Sequence, residues 1–235
     1  MTITAIITAR SGSKGLPNKN IKELGGIPLI GWIVNSSKKS ALLDNIILST
    51  DSDEYFKIGK SINNDLIYHK RTRQLAEDVP SELILLDIIK KFNKMFDENS
   101  IVVLLQPTTP FTKSKDIDEC IQKLIDNPKL NTCVSVKKIT EYPEWAISSD
   151  DENIGKCNKI SGENSIRQNL KSRWIPNGGI WAIRKEFLTK ERKILDENET
   201  LLFEMSKLCS IDIDEEDDFL LCQSLVNSGV MILDN

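Results

Sequence analysis

The sequence predicts an α/β fold, one large domain whose mostly parallel sheet is covered by helices on both faces. Three observations carry that expectation. Short runs rich in Ile and Val recur along the first half of the chain, and they are apolar throughout, as in strands buried on both faces. Longer stretches with apolar residues three and four apart separate them. The chain has 235 residues, 40% of them hydrophobic and 28% charged, which is enough for one substantial core.

Residues 3–8 (ITAIIT) read as the first strand, and 28–40 as a helix carried by Leu29, Ile33 and Val34. NIILST at 45–50 is the second strand, and Asp51-Ser52-Asp53 behind it has the composition of a helix cap. A short third strand covers 66–69. Residues 82–97 read as a long amphipathic helix with Leu83, Leu86, Ile89 and Phe92 on its apolar face. SIVVLL at 100–105 is the plainest strand, stopped by Gln106-Pro107. A helix at 115–126 and a strand at 132–136 follow. From about 138 to 178 the chain turns polar and irregular, which reads as an arm inserted into a single domain of 1–235. Order returns at 179–183, and the last helix runs from 215 to 227.

Composition narrows the function. A net charge of −4 argues against a general nucleic-acid binder. No apolar run approaches the roughly 20 residues of a membrane span. The chain opens on a strand-like run and not on a leader, so a cytoplasmic address is expected. The five cysteines are odd in number and lack a CxxC pair, so they read as reduced and mostly buried. The single histidine, His69, excludes HExxH metallopeptidases, and no GxSxG supplies a hydrolase serine. His69 itself reads as an ordinary strand-end residue.

Three stretches could carry chemistry. TARSGSKGLPNKN at 8–20 sets Arg10, Lys14 and Lys19 around Gly12 and Gly15, at a strand end where ligands collect in open α/β sheets. It is neither GxxxxGK[ST] nor GxGxxG. A polyanion on this loop would relieve the repulsion among its cations and engage exposed backbone N–H groups; the alternative is a solvated basic turn with Lys19 an exposed lysine. In SIDIDEEDDF at 210–219, strand alternation would send Asp212 and Asp214 to one face, with Ile211 and Ile213 buried. Two carboxylates so placed can hold a hard divalent cation, Mg²⁺ above all. The same acidic run would also favour the N-terminus of the following helix, and the two roles are compatible. In LLQPTTPF at 104–111, Gln106 is the first polar side chain after a buried strand.

With STDS (49–52), the stretch from Arg71 through LAEDVPS (to 81) and RQN…IPNGGIW (167–181), these segments resemble the acylneuraminate cytidylyltransferase family, the CMP-sialic acid synthetases, along nearly the full chain. The resemblance implies a Rossmann-like nucleotidyltransferase sheet with a dimerisation arm. It implies a reaction of CTP with a nine-carbon 2-keto sugar acid, releasing pyrophosphate, with Mg²⁺ as cofactor, in a homodimer. It places Arg10, Lys14 and Lys19 on the triphosphate, and Ala9, Gly12, Ser13, Asn20, Arg71 and Ser81 on the nucleotide side. Gln106, Arg167, Asn177 and Trp181 would serve the sugar acid, with Arg167 on its carboxylate. Asp212 and Asp214 would hold the metal, and Arg10, Lys14, Lys19 and Asp212 would carry the catalysis.

The chain departs from that pattern at Trp145, where some sialate enzymes carry a lysine facing the sugar. An aromatic face there suits a more deoxygenated nonulosonate of the legionaminate or pseudaminate kind; packing at a dimer interface is the other reading. Two rival activities are a CMP-Kdo synthetase and, because Asp212-Ile213-Asp214 is a DxD, a nucleotide-sugar-dependent glycosyltransferase.

Overall fold

The computed structural model describes residues 1–13, 15–149, 155–157, 168 and 170–234, with the backbone alone for 144 and 155–157. In chain order the elements are β1 (Ile3–Thr8), β2 (Glu23–Leu24), β3 (Ile27–Pro28), α1 (Leu29–Lys39), β4 (Asn45–Thr50), α2 (Asp53–Ile62), β5 (Ile67–Lys70), α3 (Arg73–Ala76), α4 (Ser81–Lys91), β6 (Ile101–Leu105), α5 (Ser114–Ile125) and β7 (Thr132–Lys138). They continue with β8 (Ile147–Ser149), β9 (Gly155–Cys157), β10 (Trp174–Arg184), α6 (Lys185–Glu191), β11 (Leu201–Glu204) and α7 (Glu216–Asn227).

A seven-stranded sheet in the order β11-β7-β10-β6-β1-β4-β5 is the centre of the fold. Its neighbours run parallel except at β10, which is antiparallel to both β6 and β7. Period-two alternation sorts the central strands onto two faces. Ile3, Ala5 and Ile7 of β1, with Ile101, Val103 and Leu105 of β6, pack beneath α1, α2 and α5. Ile6, Val102 and Leu104 face α4 and α6 through Ile84, Leu85, Ile88 and Leu188. Both faces are buried, which is why these strands are apolar throughout.

A third cluster lies at one end. Leu16 of the opening loop, Trp32, Phe111, Ile213 and Phe219 pack together there and bind the loop, the β2–β3 hairpin and α7 into one block.

Two expectations need correction. The helix foreseen at 82–97 ends at Lys91, and its buried side is Ile84, Leu85, Ile88 and Ile89, while Leu83 is exposed. Residues 211–214 belong to no strand, so period-two alternation does not set their side chains. Ile213 is buried and Ile211 half-buried. The cap expected behind β4 is present: Ser52 caps α2, accepting from the Tyr55 N–H, while Asp51 bonds elsewhere. Cys120, Cys133 and Cys222 are free and buried, and Cys209 is free and half-buried; the Cys157 side chain lies outside the described residues.

Candidate active site

Because β1, β4, β5 and β6 are parallel, their carboxyl ends share one edge, and the residues that follow each of them meet there. Thr8 ends β1 and Arg10 follows it, Arg71 follows β5, and Gln106 follows β6. All line a cavity of about 480 Å³ together with Ser13, Lys19, Asn20, Ser81, Asp212 and Asp214. Ser81 opens α4, so the N-terminal end of that helix borders the same space.

The opening loop is held by specific contacts. Asp51 accepts from both the N–H (2.9 Å) and the hydroxyl (2.5 Å) of Ser11. Burial alone would raise the Asp51 carboxyl, but these bonds and the nearby Arg71 keep it below the usual carboxylate range. Asn20 is buried and donates to the Arg10 carbonyl at 2.9 Å, closing the loop on itself. The Ala9 side chain is in the core and its N–H continues the ladder to Ser49, so Ala9 borders the site only through its neighbours. Gly15 passes so close to the acidic segment that a Cβ there would stand 2.5 Å from the Asp214 carbonyl oxygen. That close approach requires glycine. A Cβ on Gly12 would meet nothing.

Charges of both signs face the cavity. Arg10 pairs with Asp78 at 3.3 Å. Arg71 is buried, and that burial presses its guanidinium down to about 10, with Asp51 opposing and Arg10 reinforcing the shift. It is still a cation at neutral pH. Lys19 is not the exposed lysine expected: its side chain is 12% exposed, with Nζ on the Ile213 carbonyl and Asp214 Oδ1.

The two aspartates differ. Asp214 is largely exposed and paired with Lys19. Asp212 is mostly buried, and its Oδ1 has no hydrogen-bond partner. Burial raises its pKa, the Thr108 side chain opposes that, and Asp214 adds to it. An orphaned, buried carboxylate oxygen beside a second carboxylate fits a site for a hard divalent cation. No group of three or more metal-capable side chains occurs among the described residues, so water and ligand oxygens would complete the shell. The other reading of the acidic run is also met: Asp218 accepts from the N–H groups of Asp214 and Glu215 in a capping box at the start of α7.

Asp212 also lines a second cavity, of about 410 Å³, with Lys137, Lys138, Lys207 and Ile211. It is thus shared by a space holding Arg10, Lys19 and Arg71 beside Glu77, Asp78 and Asp214, and a space holding three lysines beside Glu141 and Asp218. Gly178, at φ +80°, lies against Asp212: a Cβ there would sit 3.1 Å from its Oδ2 and 3.2 Å from Gln106 Oε1.

Two expected ligand contacts are instead part of the scaffold. Asn177 is 2% exposed; its oxygen accepts from Ser135 Oγ and the Gly179 N–H, and its amide donates to Ser210 Oγ. With its capacity spent on protein, it fixes the turn that carries Gly178. Trp181 pairs across the sheet with Leu104 and, partly buried, packs against the core cluster of Leu104, Ile84 and Leu188, lining neither cavity. Lys14 and Arg167 lie outside the described residues. Trp145 packs edge-on against Tyr142, with centroids 5.3 Å apart. Sequence reasoning missed Asp51, Asp78, Thr108 and the three lysines, although Asp51 stands in STDS, Asp78 in LAEDVPS and Thr108 in LLQPTTPF; only the lysines lie outside those stretches.

A mostly parallel sheet thus carries a cationic loop, a buried arginine and two aspartates at its carboxyl edge, the edge at which open α/β sheets bind ligands. Over residues 4–207 the chain matches the family described as Cytidylyltransferase, and it belongs to that family. It is 31% identical to an N-acylneuraminate cytidylyltransferase of Streptococcus agalactiae over 92% of this chain and 51% of that protein. It is 29% identical to N-acylneuraminate cytidylyltransferase A of Danio rerio, over 95% and 50% respectively. The chain therefore spans about half the length of these relatives. The Campylobacter coli post-translational flagellin modification protein B matches at 27%, over 95% of this chain and 94% of that one. In fold, the chain is similar to a CMP:2-keto-3-deoxy-manno-octonic acid synthetase solved with CTP (TM-score 0.71, 14% identity, 97% and 100% covered). It is also similar to a 4-diphosphocytidyl-2C-methyl-D-erythritol synthase (0.69, 10%, 96% and 98%).

Proposed function

We propose that this chain transfers a cytidylyl group from CTP to a nonulosonic, sialic-acid-like 2-keto acid, giving the CMP-sugar and pyrophosphate. The observation that carries this reading is Asp212 as a residue shared by two cavities, one holding Arg10, Lys19 and Arg71 and the other three lysines, each among carboxylates. The cavity of Arg10, Lys19 and Arg71 suits a triphosphate, and the lysine-lined one suits a carboxylate. Attack of the anomeric hydroxyl on the α-phosphorus forms the new P–O bond, breaks the bond to pyrophosphate and releases the hydroxyl proton. Negative charge then spreads over the phosphate oxygens, where Arg10, Lys19 and Arg71 are preset to meet it. Asp212 and Asp214 would hold Mg²⁺, which supplies further positive charge to the triphosphate when bound.

The curated relatives favour the sialate reading over the CMP-Kdo one, since the latter is supported by likeness of fold alone. The Tyr142–Trp145 aromatic pair in the arm supports a more deoxygenated sugar of the legionaminate or pseudaminate kind. We also read the chain as a cytoplasmic homodimer joined through the arm at about 138–178. Exposed Ile147, Trp174 and Ile175 in that stretch, beside exposed Leu202 on the edge strand β11, support such an interface. The test is a pyrophosphate-release assay with CTP and Mg²⁺ against nonulosonic acids and Kdo. Release with a nonulosonic acid alone is the expected result; release with Kdo alone, or none without a glycan acceptor, would overturn the reading.

A further inference from the structure

His69 is no ordinary strand-end residue. Its ring is 1% exposed and lies between Ser49 and Asp87, with the edge of Phe92 at 6.2 Å. Ser49 and His69 with Asp87 have the composition of a hydrolase triad, but Ser49 is 0% exposed, so no substrate reaches its hydroxyl. The next group along is Arg71, whose Nε donates to Ser49 Oγ at 3.0 Å.

The direction of each bond follows from that contact. A guanidinium only donates, so Ser49 Oγ accepts, and the serine proton needs an acceptor of its own. His69 Nδ1, 3.0 Å away, is in reach and must therefore carry no proton. The ring proton then sits on Nε2 and goes to Asp87 Oδ2 at 2.9 Å. Lys91, 3.2 Å from Nε2, is satisfied by the same carboxylate at 2.9 Å. Donation runs from Arg71 to Ser49 to His69 to Asp87, and no buried group in the series is left without a partner.

We propose that His69, neutral and protonated on Nε2, is a positioning residue that fixes Arg71 for the nucleotide by accepting the Ser49 hydroxyl. The proposal rests on the reading of Arg71 as a nucleotide contact. A charged ring would turn a second N–H onto Ser49 Oγ and set a cation between Lys91 and Arg71, with Asp87 alone in compensation. Burial already holds the ring below its ordinary pKa.

The test compares His69→Asn, His69→Gln and Ser49→Ala by equilibrium CTP binding, by KM for each substrate and by melting temperature. An asparagine oxygen can replace Nδ1 toward Ser49, whereas glutamine mimics the Nε2 side. His69→Asn should keep CTP affinity close to that of the unaltered protein. His69→Gln and Ser49→Ala should weaken it about tenfold, the scale of one hydrogen bond to a charged group, with KM for the acid unchanged. Nitrogen NMR of this sole histidine should show an unprotonated Nδ1 at neutral pH. An Nδ1-protonated ring, or CTP affinity equal in all variants, would overturn the proposal. If the unaltered protein itself fails to bind CTP, the function falls and this role with it, an outcome distinct from variants that simply match a CTP-binding parent.

Discussion

Lys19 Nζ donates to the Ile213 carbonyl at 2.6 Å and lies 3.1 Å from Asp214 Oδ1, tying the opening loop to a segment 194 residues further on. Lys19→Ala should therefore do two things. Turnover should fall by roughly 10²–10³-fold if the ammonium meets transition-state charge. The protein should also lose about 1–2 kcal/mol of stability, because a buried carbonyl loses its donor. Denaturant unfolding beside a pyrophosphate assay reads both, and full activity in a destabilised protein would reduce Lys19 to a tether.

The two aspartates should respond unequally. Asp212→Asn removes the buried, orphaned carboxylate and should cut Mg²⁺-dependent turnover by about 10²-fold or more. Asp214→Asn removes an exposed partner, and extra Mg²⁺ should rescue much of its loss. Asp212 is raised in pKa by folding, so its charge works against the folded state at neutral pH; Asp212→Asn should melt no lower than the parent. Equal, unaltered Mg²⁺ activation in both variants would remove the metal from this place.

Gly178→Ala puts a methyl against Asp212 and Gln106 at a positive φ. The backbone strain should cost about 1–2 kcal/mol, and kcat should drop further than that destabilisation explains. A Gly178→Ala enzyme with normal kinetics would mean that Asp212 is free to move.

Acid should act in two stages. His69 has a folded pKa below 6.5, so its contribution to stability is complete above that pH and declines as pH falls through the lowered value. Asp51 and Asp87 are held below 3.8, the first by Ser11 and the second by Lys91 and His69, and their contribution is lost only at more acid pH. Denaturant midpoints measured against pH should show the first decline in the parent and its absence in His69→Asn.

Much of the sheet was legible because strands buried on both faces leave unbroken apolar runs, as at 3–8 and 100–105. The phase of α4 was not. The run SELILLDII is apolar on nearly every side, so periodicity cannot say which residues face inward. The packing of Ile84, Leu85 and Ile88 against β6 and α6 decides it. Strand β11 and helix α6 also went unread, since Leu201–Glu204 is short and half exposed and owes its place to pairing with β7.

The site divides in the same way. The sequence by itself determined which residue types gather at the carboxyl edge: loop cations, the DxD pair and Gln106 each follow an apolar run or stand in a charged one, and local composition is enough to find them. Only the tertiary structure decided their roles. It turned Asn177 and Asn20 into scaffold, paired Lys19 with Asp214, left Asp212 Oδ1 without a partner and enclosed His69 between Ser49 and Asp87. The physical reason is that, Asn20 apart, burial and hydrogen-bond saturation here depend on neighbours 18 to 194 residues distant, and no short stretch of sequence contains them.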